Sequence, residues 1–251
     1  METHFVWVYV KFSQKADEIK HSIRSVEKFF LGERKIFIVG DKPDNFKPYW
    51  THIPHKQVMN LGFAKVMDSI SKLQTIVQED QINPDFVYMY DDQVFLRPFS
   101  LGEISMSVAN DHVDSLINYW KPTGTLPSKT WREQFRITID KLKKNGKGTW
   151  NYETHTPRLL NKALITEVIE TYIEPGSLST QPVLFATLYG NHVRLNPDIS
   201  LDRNDSYKCG IYHAKDINLI RKDTLNKLVL NYNDNGWDNR LETFIKERLK
   251  A

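Results

Sequence analysis

Two apolar runs near the beginning of the chain, at residues 5–10 and 35–40, restrict the choice of fold more than any other feature. Their sequences, Phe-Val-Trp-Val-Tyr-Val and Lys-Ile-Phe-Ile-Val-Gly, are rich in β-branched and aromatic residues, as buried strands are. Between them, Ile19, Ile23 and Val26 recur at helical spacing. A strand, a helix and a second strand in this order predict parallel strands joined by a right-handed crossover.

The same alternation continues to about residue 100. An amphipathic helix is predicted at residues 62–79, and a third apolar run, Phe-Val-Tyr-Met-Tyr, follows at residues 86–90. Residues 94–96 are expected to continue that strand in extended form, and residues 43–54 are expected to form a loop. This order predicts an α/β fold in which helices flank a Rossmann-like, mixed and mainly parallel sheet.

The second half of the chain has a weaker pattern. Short extended segments are predicted at residues 193–195 and 209–213, and Pro182 is expected in the first turn of a helix. No internal repeat and no long linker divides the sequence, so we expect a single domain over residues 1–251. The helices predicted in this half lie at residues 131–144, 161–172, 179–189 and 239–249.

Cysteine content and hydropathy indicate the class of protein. The only cysteine, Cys209, can form neither an internal disulfide nor a cysteine-based zinc site. The first residues lack the features of a signal peptide, and no apolar run is long enough to span a membrane. These observations lead us to expect a cytoplasmic protein.

Charge is concentrated in one segment. Residues 121–150 carry a net charge of +6, whereas the whole chain carries +3, which leaves −3 for the remainder. Trp131 and Trp150 lie among these cations, and this combination is found on nucleic-acid-binding surfaces. The alternative is a solvated helix face with buried tryptophans.

The carboxylates Asp91 and Asp92 directly follow the third apolar run. In open α/β sheets, ligands bind beyond the carboxyl ends of the strands. On an extended segment the two side chains would point to opposite faces, so one would hold a divalent cation while the other accepts hydrogen bonds from a ribose or a basic side chain. They could instead be ordinary turn residues, but burying two unpartnered carboxylates is costly, which favours a functional site.

The segment Tyr88-Met89-Tyr90-Asp91-Asp92-Gln93-Val94-Phe95-Leu96 resembles the Asp-x-Asp motif of GT-A glycosyltransferases. It is most similar to the Asn-Asp-Asp-Val-Phe-Leu stretch of Stealth-type capsule transferases and related bacterial and phage sugar transferases. The resemblance implies an enzyme that uses a nucleotide-sugar donor and Mn²⁺ or Mg²⁺, held by Asp91 and Asp92. Gln93 occupies the position of the usual direct ligand. Because its amide brings no charge, metal binding would be weaker, shifted to Asp92 or lost.

Two later segments also resemble this family. In the first, residues 210–215, the resemblance implies that His213 completes the metal site and that Lys215 contacts the diphosphate. In the second, residues 151–158, it implies that Glu153 or His155 accepts the proton of the attacking hydroxyl. Without the resemblance, the second segment would be a capping and turn sequence that leads into a helix.

Further contacts follow from position in this fold. The resemblance implies that residues 1–100 form a nucleotide-binding half and residues 101–251 an acceptor-binding half. The residues expected to contact the nucleotide are Val10, Lys11, Asp41, Lys65, Asp68 and Asp91.

The predicted function is therefore transfer of a sugar to a hydroxyl of a glycan or a lipid-linked sugar. Three alternatives stay open at this point. A phage-type enzyme would glycosylate a modified DNA base and bind DNA through residues 121–150. A Stealth-type enzyme would transfer a sugar phosphate. A protein that has kept the fold and lost activity would be a carbohydrate-binding or scaffold protein.

Overall fold

The computed structural model describes most of the chain. Within it, the side chains of residues 64–66 and 129–130 are not described. No helix in this part is long and apolar enough to cross a membrane. The residues described are 2–11, 18–57, 64–104, 129–174, 182–193 and 207–250.

A five-stranded sheet lies at the centre of the structure. Four of its strands are parallel, and the last, β6, runs antiparallel to β4 with Tyr88 opposite Arg158. The prediction of a mixed, mainly parallel sheet is thus confirmed. In spatial order the strands are β3 (Thr51–Pro54), β2 (Arg34–Gly40), β1 (Thr3–Tyr9), β4 (Asp85–Met89) and β6 (Arg158–Asn161).

Two features of the strands differ from the sequence prediction. Strand β3 lies in the segment predicted to be a loop, because four residues flanked by prolines and aromatics give little periodicity. Strand β5 (Gln93–Phe95) does not continue β4. It belongs to a separate three-stranded sheet, where it pairs with β8 (Val229–Tyr232), which in turn pairs with β7 (Lys208–Ile211).

Helices cover both faces of the central sheet. Three of the four helices predicted in the second half agree with the structure to within two residues, whereas the one predicted at residues 179–189 begins later. Pro182 and the two residues after it are not helical. Val193 ends that helix, and the rest of the predicted 193–195 segment lies outside the described residues. The helices are α1 (Glu18–Phe29), α2 (Ala64–Gln78), α3 (Lys129–Lys144), α4 (Lys162–Tyr172), α5 (Phe185–His192), α6 (Ile217–Asp223) and α7 (Asn239–Lys250).

Each face of the central sheet has its own apolar core. On one face, Trp7 packs with Ile23 of α1, Phe244 of α7 and side chains of the three-stranded sheet. On the other face, residues of α2, α4 and α5 pack against alternate positions of the same strands. Because neighbouring strand residues point to opposite faces, the continuous apolar runs of β1, β2 and β4 fill both cores.

The order of the strands determines where a ligand can bind. β1 has β2 on one side and β4 on the other, so the direction of winding reverses between β1 and β4. Such a reversal opens a crevice beyond the carboxyl ends of these strands, which here are Tyr9 and Met89. Gly40 ends β2 with a φ of 124°, and a Cβ at this position would lie 2.0 Å from the Tyr9 carbonyl oxygen. Glycine therefore allows the ends of β1 and β2 to approach each other at this edge.

Candidate active site

The carboxylates Asp91 and Asp92 lie in a turn between β4 and β5. The premise that they stand on an extended segment is wrong, because the chain leaves the central sheet here and enters the second one. Gln93 is fully buried, and its Oε1 accepts a hydrogen bond of 3.1 Å from the Tyr90 backbone N–H. This bond closes the turn, so the placement of Gln93 does not favour the predicted ligation of a metal.

Two further carboxylates, Glu18 and Asp234, lie near this turn. Glu18 begins α1, while Asp234 follows β8. Burial and the charge of Asp92 raise the pKa of Asp91 to about 7. Burial, Asp91, Asp92 and Asp234 raise the pKa of Glu18 to about 8. The site therefore holds more negative charge than its surroundings stabilise.

Several polar atoms around the turn are buried but not hydrogen-bonded. Within the described part of the chain, Asp92 Oδ1, Gln93 Nε2 and the Tyr232 hydroxyl have no partner. The Tyr232 backbone N–H donates to the Asp92 carbonyl oxygen at 3.3 Å, so Tyr232 adjoins the turn. Buried polar groups without a partner are uncommon, and a cluster of them indicates a place where a ligand or ion can bind.

The chemistry of these groups fits a hard divalent cation. All the charged donors are carboxylates, which Mg²⁺ and Mn²⁺ prefer. Across residues 2–11, 18–57, 64–104, 129–174, 182–193 and 207–250, no group of three or more His, Cys, Asp or Glu residues could together hold an ion. Such a cation is often held by only one or two carboxylates together with the phosphates of a substrate. Asp91 with Glu18 or Asp92 can serve in that way.

The raised pKa values predict how the stability of the metal-free protein depends on pH. In an unfolded chain, the carboxyl groups of Asp91 and Glu18 titrate at about pH 4. Between about pH 4 and pH 8 the unfolded chain loses these protons while the folded protein retains them. These two groups therefore lower the free energy of unfolding as pH rises through this window.

Urea unfolding in the presence of a chelator at pH 5 and pH 8 measures this effect. Asp91→Asn should be more stable than the wild type at pH 8, and the difference should shrink at pH 5. Asp80→Asn, in the exposed turn before β4, is the matched control and should follow the wild type at both pH values. Equal behaviour of Asp91→Asn and the control would contradict the assignment.

His155 lies on the other side of the turn. Its Nδ1 is 3.6 Å from Asp92 Oδ2, and its ring stacks on Tyr90 with centroids 5.5 Å apart and an interplanar angle of 29°. The imidazole is about half exposed. His155 has a φ of 49°, an uncommon backbone conformation for a residue with a side chain. Such strain persists only where the surrounding structure enforces it, and it is concentrated at functional sites.

Hydrogen bonds hold the loop that carries His155. The Tyr152 N–H donates to the Thr187 hydroxyl at 3.2 Å, and the hydroxyls of Thr154 and Thr156 are 2.9 Å apart. Glu153 Oε1 accepts from the Thr187 backbone N–H at 3.1 Å. The structure therefore brings Glu153 and His155 into one loop, but only His155 faces Asp92.

A cavity of about 270 Å³ opens beside this loop. Its walls come from α2, the end of β4, β6, α3 and the segment that leads into α5. Most of the lining is aromatic or aliphatic, and the polar side chains are few. The polar and aromatic lining residues are Ser69, Tyr88, Tyr90, Trp131, Gln134, Glu153, His155, Arg158 and Phe185.

The predicted nucleotide contacts at the ends of β1 and β2 lie together. The Lys11 backbone N–H donates to Asp41 Oδ2 at 2.8 Å, and Val10 directly follows β1. Lys11 Nζ pairs with Asp44 at 2.7 Å in an exposed position. These residues lie at the carboxyl ends of β1 and β2, and their contact with a nucleotide stays a prediction.

The predicted contacts on α2 are placed differently. Asp68 is buried, and its carboxylate pairs with Lys72 at 2.5 Å and lies 3.8 Å from His55 Nε2. This placement does not favour contact with a nucleotide, because Asp68 is enclosed by its partners. The side chain of Lys65 lies outside the described residues.

The late His-and-Lys segment follows β7. Across the second sheet, Ile211 of β7 pairs with Tyr232, whose N–H bonds to Asp92, so β7 ends at the same edge as the carboxylates. His213 is exposed two residues beyond that end. Lys215 pairs with Asp223 at 2.6 Å, which raises the pKa of the lysine. Lys215 would have to leave Asp223 to reach a diphosphate, and both roles stay predictions.

The basic segment does not form one continuous charged face in the described structure. Lys147 Nζ donates to the His192 carbonyl oxygen, and Arg136 pairs with Asp140. Lys143 and Lys144 are exposed near the end of α3, where cations favour the helix dipole. Lys121 and the side chain of Lys129 lie outside the described residues.

Sequence reasoning missed Glu18, Asp234 and Tyr232. Glu18 was missed because it carries no motif and lies far in sequence from Asp91 and Asp92. Asp234 and Tyr232 were missed because β8 was not predicted. A signal for them exists, since Asn233-Asp234-Asn235-Gly236 directly follows the apolar Val-Leu-Asn-Tyr of β8.

Comparison with known proteins bears on the fold. No protein-family model and no curated protein matches the sequence. Among solved structures, the chain is similar to the WbbM bifunctional glycosyltransferase in its apo form, with 10% identity and a TM-score of 0.51 over 99% of this chain and 49% of that one. The chain thus spans about half the length of that protein. A weaker likeness is to mouse xyloside xylosyltransferase 1, also apo, with 12% identity and a TM-score of 0.41 over 95% of this chain and 100% of that one.

Proposed function

We propose that this chain, which has a GT-A glycosyltransferase fold, transfers a sugar from a nucleotide-sugar donor to the hydroxyl of a glycan or lipid-linked sugar. One observation carries the proposal. The Asp91–Asp92 turn lies at the crevice between β1 and β4. On one side it forms a carboxylate cluster with Glu18 and Asp234. On the other side, Asp92 faces His155 beside the cavity. Transfer between two substrates needs two such adjoining sites.

The donor would lie on the side of the carboxylate cluster. The edge formed by Lys11 and Asp41 offers hydrogen-bonding groups for a nucleoside. Asp91, with Glu18 or Asp92, would hold Mn²⁺ or Mg²⁺ together with the diphosphate. When bound, the cation supplies stabilisation of the negative charge on the leaving diphosphate.

The acceptor hydroxyl would lie next to His155. Its oxygen forms a bond to the anomeric carbon of the donor sugar, while the bond from that carbon to the diphosphate oxygen breaks. The hydroxyl proton passes to Nε2 of His155, because Nδ1 faces Asp92. Asp92 and the stacked ring of Tyr90 orient the imidazole for this step. Glu153 is less suited to this step, because the Thr187 N–H holds its Oε1.

Thermal unfolding with nucleoside diphosphates tests the donor half of the proposal. UDP, GDP, CDP and ADP would each be added with and without Mn²⁺. At about a hundred times its Kd, the correct nucleotide should raise the free energy of unfolding by about 2.7 kcal/mol. Asp91→Asn should lose the additional stabilisation that Mn²⁺ gives. If none of the four stabilises the protein at millimolar concentration, the proposed donor site for these nucleotides is wrong.

Analysis of the released nucleotide then identifies the reaction. Sugar transfer releases a nucleoside diphosphate, whereas transfer of a sugar phosphate releases a nucleoside monophosphate. A monophosphate product would replace the proposed reaction with phosphosugar transfer at the same site.

A further inference from the structure

The cavity beside His155 contains a buried arginine whose hydrogen-bonding capacity is largely unused. Arg158 is 7% exposed and lies in β6 opposite Tyr88. Among the residues that the structure describes, its guanidinium donates one hydrogen bond, from Nη2 to the Tyr152 carbonyl oxygen. None of their carboxylates lies within ion-pair distance of it. A guanidinium carries five N–H donors. A buried guanidinium is normally paired with a group of opposite charge.

The Arg158 side chain forms part of the cavity wall, together with Glu153 and His155. Glu153, on the same wall, supplies the opposite kind of group. Its Oε1 accepts one backbone hydrogen bond, which leaves acceptor positions free. Arg158 and Glu153 both line the cavity together with Tyr90. The wall therefore offers donors and acceptors with no net charge.

The rest of the wall suits the apolar face of a ring. Tyr88 and Tyr90 meet edge to face with centroids 5.2 Å apart, and Trp131 and Phe185 complete the aromatic lining. The volume of about 270 Å³ is slightly below the range of about 300 Å³ and above that holds drug-sized ligands. The cavity is thus large enough for one ring and too small for an extended chain. A duplex base with its backbone does not fit this description.

We infer that this cavity binds one neutral sugar ring of the acceptor, with its hydroxyls bridging Arg158 and Glu153 and its C–H face against the aromatic wall. An anionic sugar is disfavoured because a wall with one charge of each sign gives its carboxylate no net attraction to offset the cost of desolvation. The inference rests on the proposed function, since it places the acceptor hydroxyl beside His155. It adds the class of acceptor and two residues that determine it.

Ligand-observed NMR with methyl glycosides tests the inference. The probes are methyl glycosides of glucose, galactose and mannose in both anomeric forms, together with methyl glucuronide, added to the full chain with a nucleoside diphosphate and Mn²⁺. At least one neutral glycoside should bind more tightly than the glucuronide. Glu153→Gln and Arg158→Gln should each weaken that binding about tenfold or more, because each removes a charged hydrogen-bonding partner.

Arg136→Gln is the matched control, because Arg136 is an exposed arginine of α3 that pairs with Asp140. It should leave glycoside binding unchanged. Arg158→Gln changes a buried side chain and could disturb the fold. The nucleotide affinity and the unfolding temperature of this variant are therefore compared with those of the wild type. If Arg158→Gln does not fold, Glu153→Gln alone tests the inference. This variant replaces one carboxylate oxygen by an amide nitrogen and keeps the shape of the side chain.

The outcomes separate this inference from the proposed function. Nucleotide binding with tighter binding of the glucuronide, or with no neutral glycoside bound, overturns the inference and leaves the donor site intact. Neutral glycoside binding that both variants retain overturns the roles of Arg158 and Glu153. Absence of nucleotide binding, measured separately, counts against the proposed function itself.

Discussion

Asp91→Asn and Asp92→Asn should each reduce turnover at least about a hundredfold, because charge stabilisation by a bound cation is worth several kcal/mol. Asp91 belongs to the carboxylate cluster, where burial and the charge of Asp92 raise its pKa to about 7. Asp92 has a buried oxygen without a hydrogen-bond partner among the described residues, and its other oxygen faces His155. Steady-state rates with sugars activated by the nucleotide that thermal unfolding identifies measure both losses.

The two variants should differ in how they fail. Asp91→Asn should lose the dependence on Mn²⁺, whereas Asp92→Asn should lower kcat even at saturating Mn²⁺, because His155 loses the carboxylate that orients it. Asp80→Asn, exposed and outside the site, should keep wild-type rates. Near-native turnover in both site variants would remove the Asp91–Asp92 turn from the mechanism.

The second large effect is expected at His155. His155→Asn should lower kcat by about 10²- to 10⁴-fold, the usual contribution of a positioned general base. Asparagine is the informative replacement, because it tolerates the positive φ of 49° at this position and cannot accept the proton. Donor affinity, measured by calorimetry with the nucleoside diphosphate, should not change.

A purely structural role of His155 predicts a different result. In that case His155→Asn would alter the unfolding temperature and leave the pH dependence of kcat as in the wild type. If His155 is the base, the acidic limb of the profile should disappear in His155→Asn, and added imidazole should restore part of the rate in His155→Gly. Retention of the acidic limb without any rescue would transfer the role to another group, with Glu153 the first to test.

The carboxylate cluster also illustrates a trade between stability and function. Glu18, Asp91, Asp92 and Asp234 lie near one another, although burial and their repulsion destabilise the cation-free protein. Such an arrangement lowers the free energy of unfolding, and a bound ligand that neutralises the charge raises it again. Stabilisation of Asp91→Asn together with its loss of activity would be the expected signature.

Local sequence was sufficient to predict the longer strands and helices that bury an apolar face. The runs of β1, β2 and β4, and the helical spacing of α1, α2 and α7, indicated their own structure, because periodicity reports burial directly. The position of the Asp91–Asp92 turn also followed from sequence, since two carboxylates after five apolar residues mark the end of a strand. The short strands β3, β6 and β8 were not predicted, although β7 of the same length was, because four residues give too weak a pattern to identify every strand.

What the sequence by itself determined is therefore the α/β class, the parallel sheet and the strand end at which the site lies. Only the tertiary structure decided which side chains meet there. The turn after β4 sends β5 into the second sheet, and this brings Tyr232 and Asp234 of a distant segment beside Asp91. The antiparallel pairing of β6 with β4 likewise brings His155 and Arg158 to the other side of the turn. The physical reason is that the apolar pattern of a segment indicates whether that segment is buried. Contacts between distant strands depend instead on which strands pair, and no local pattern specifies the pairing.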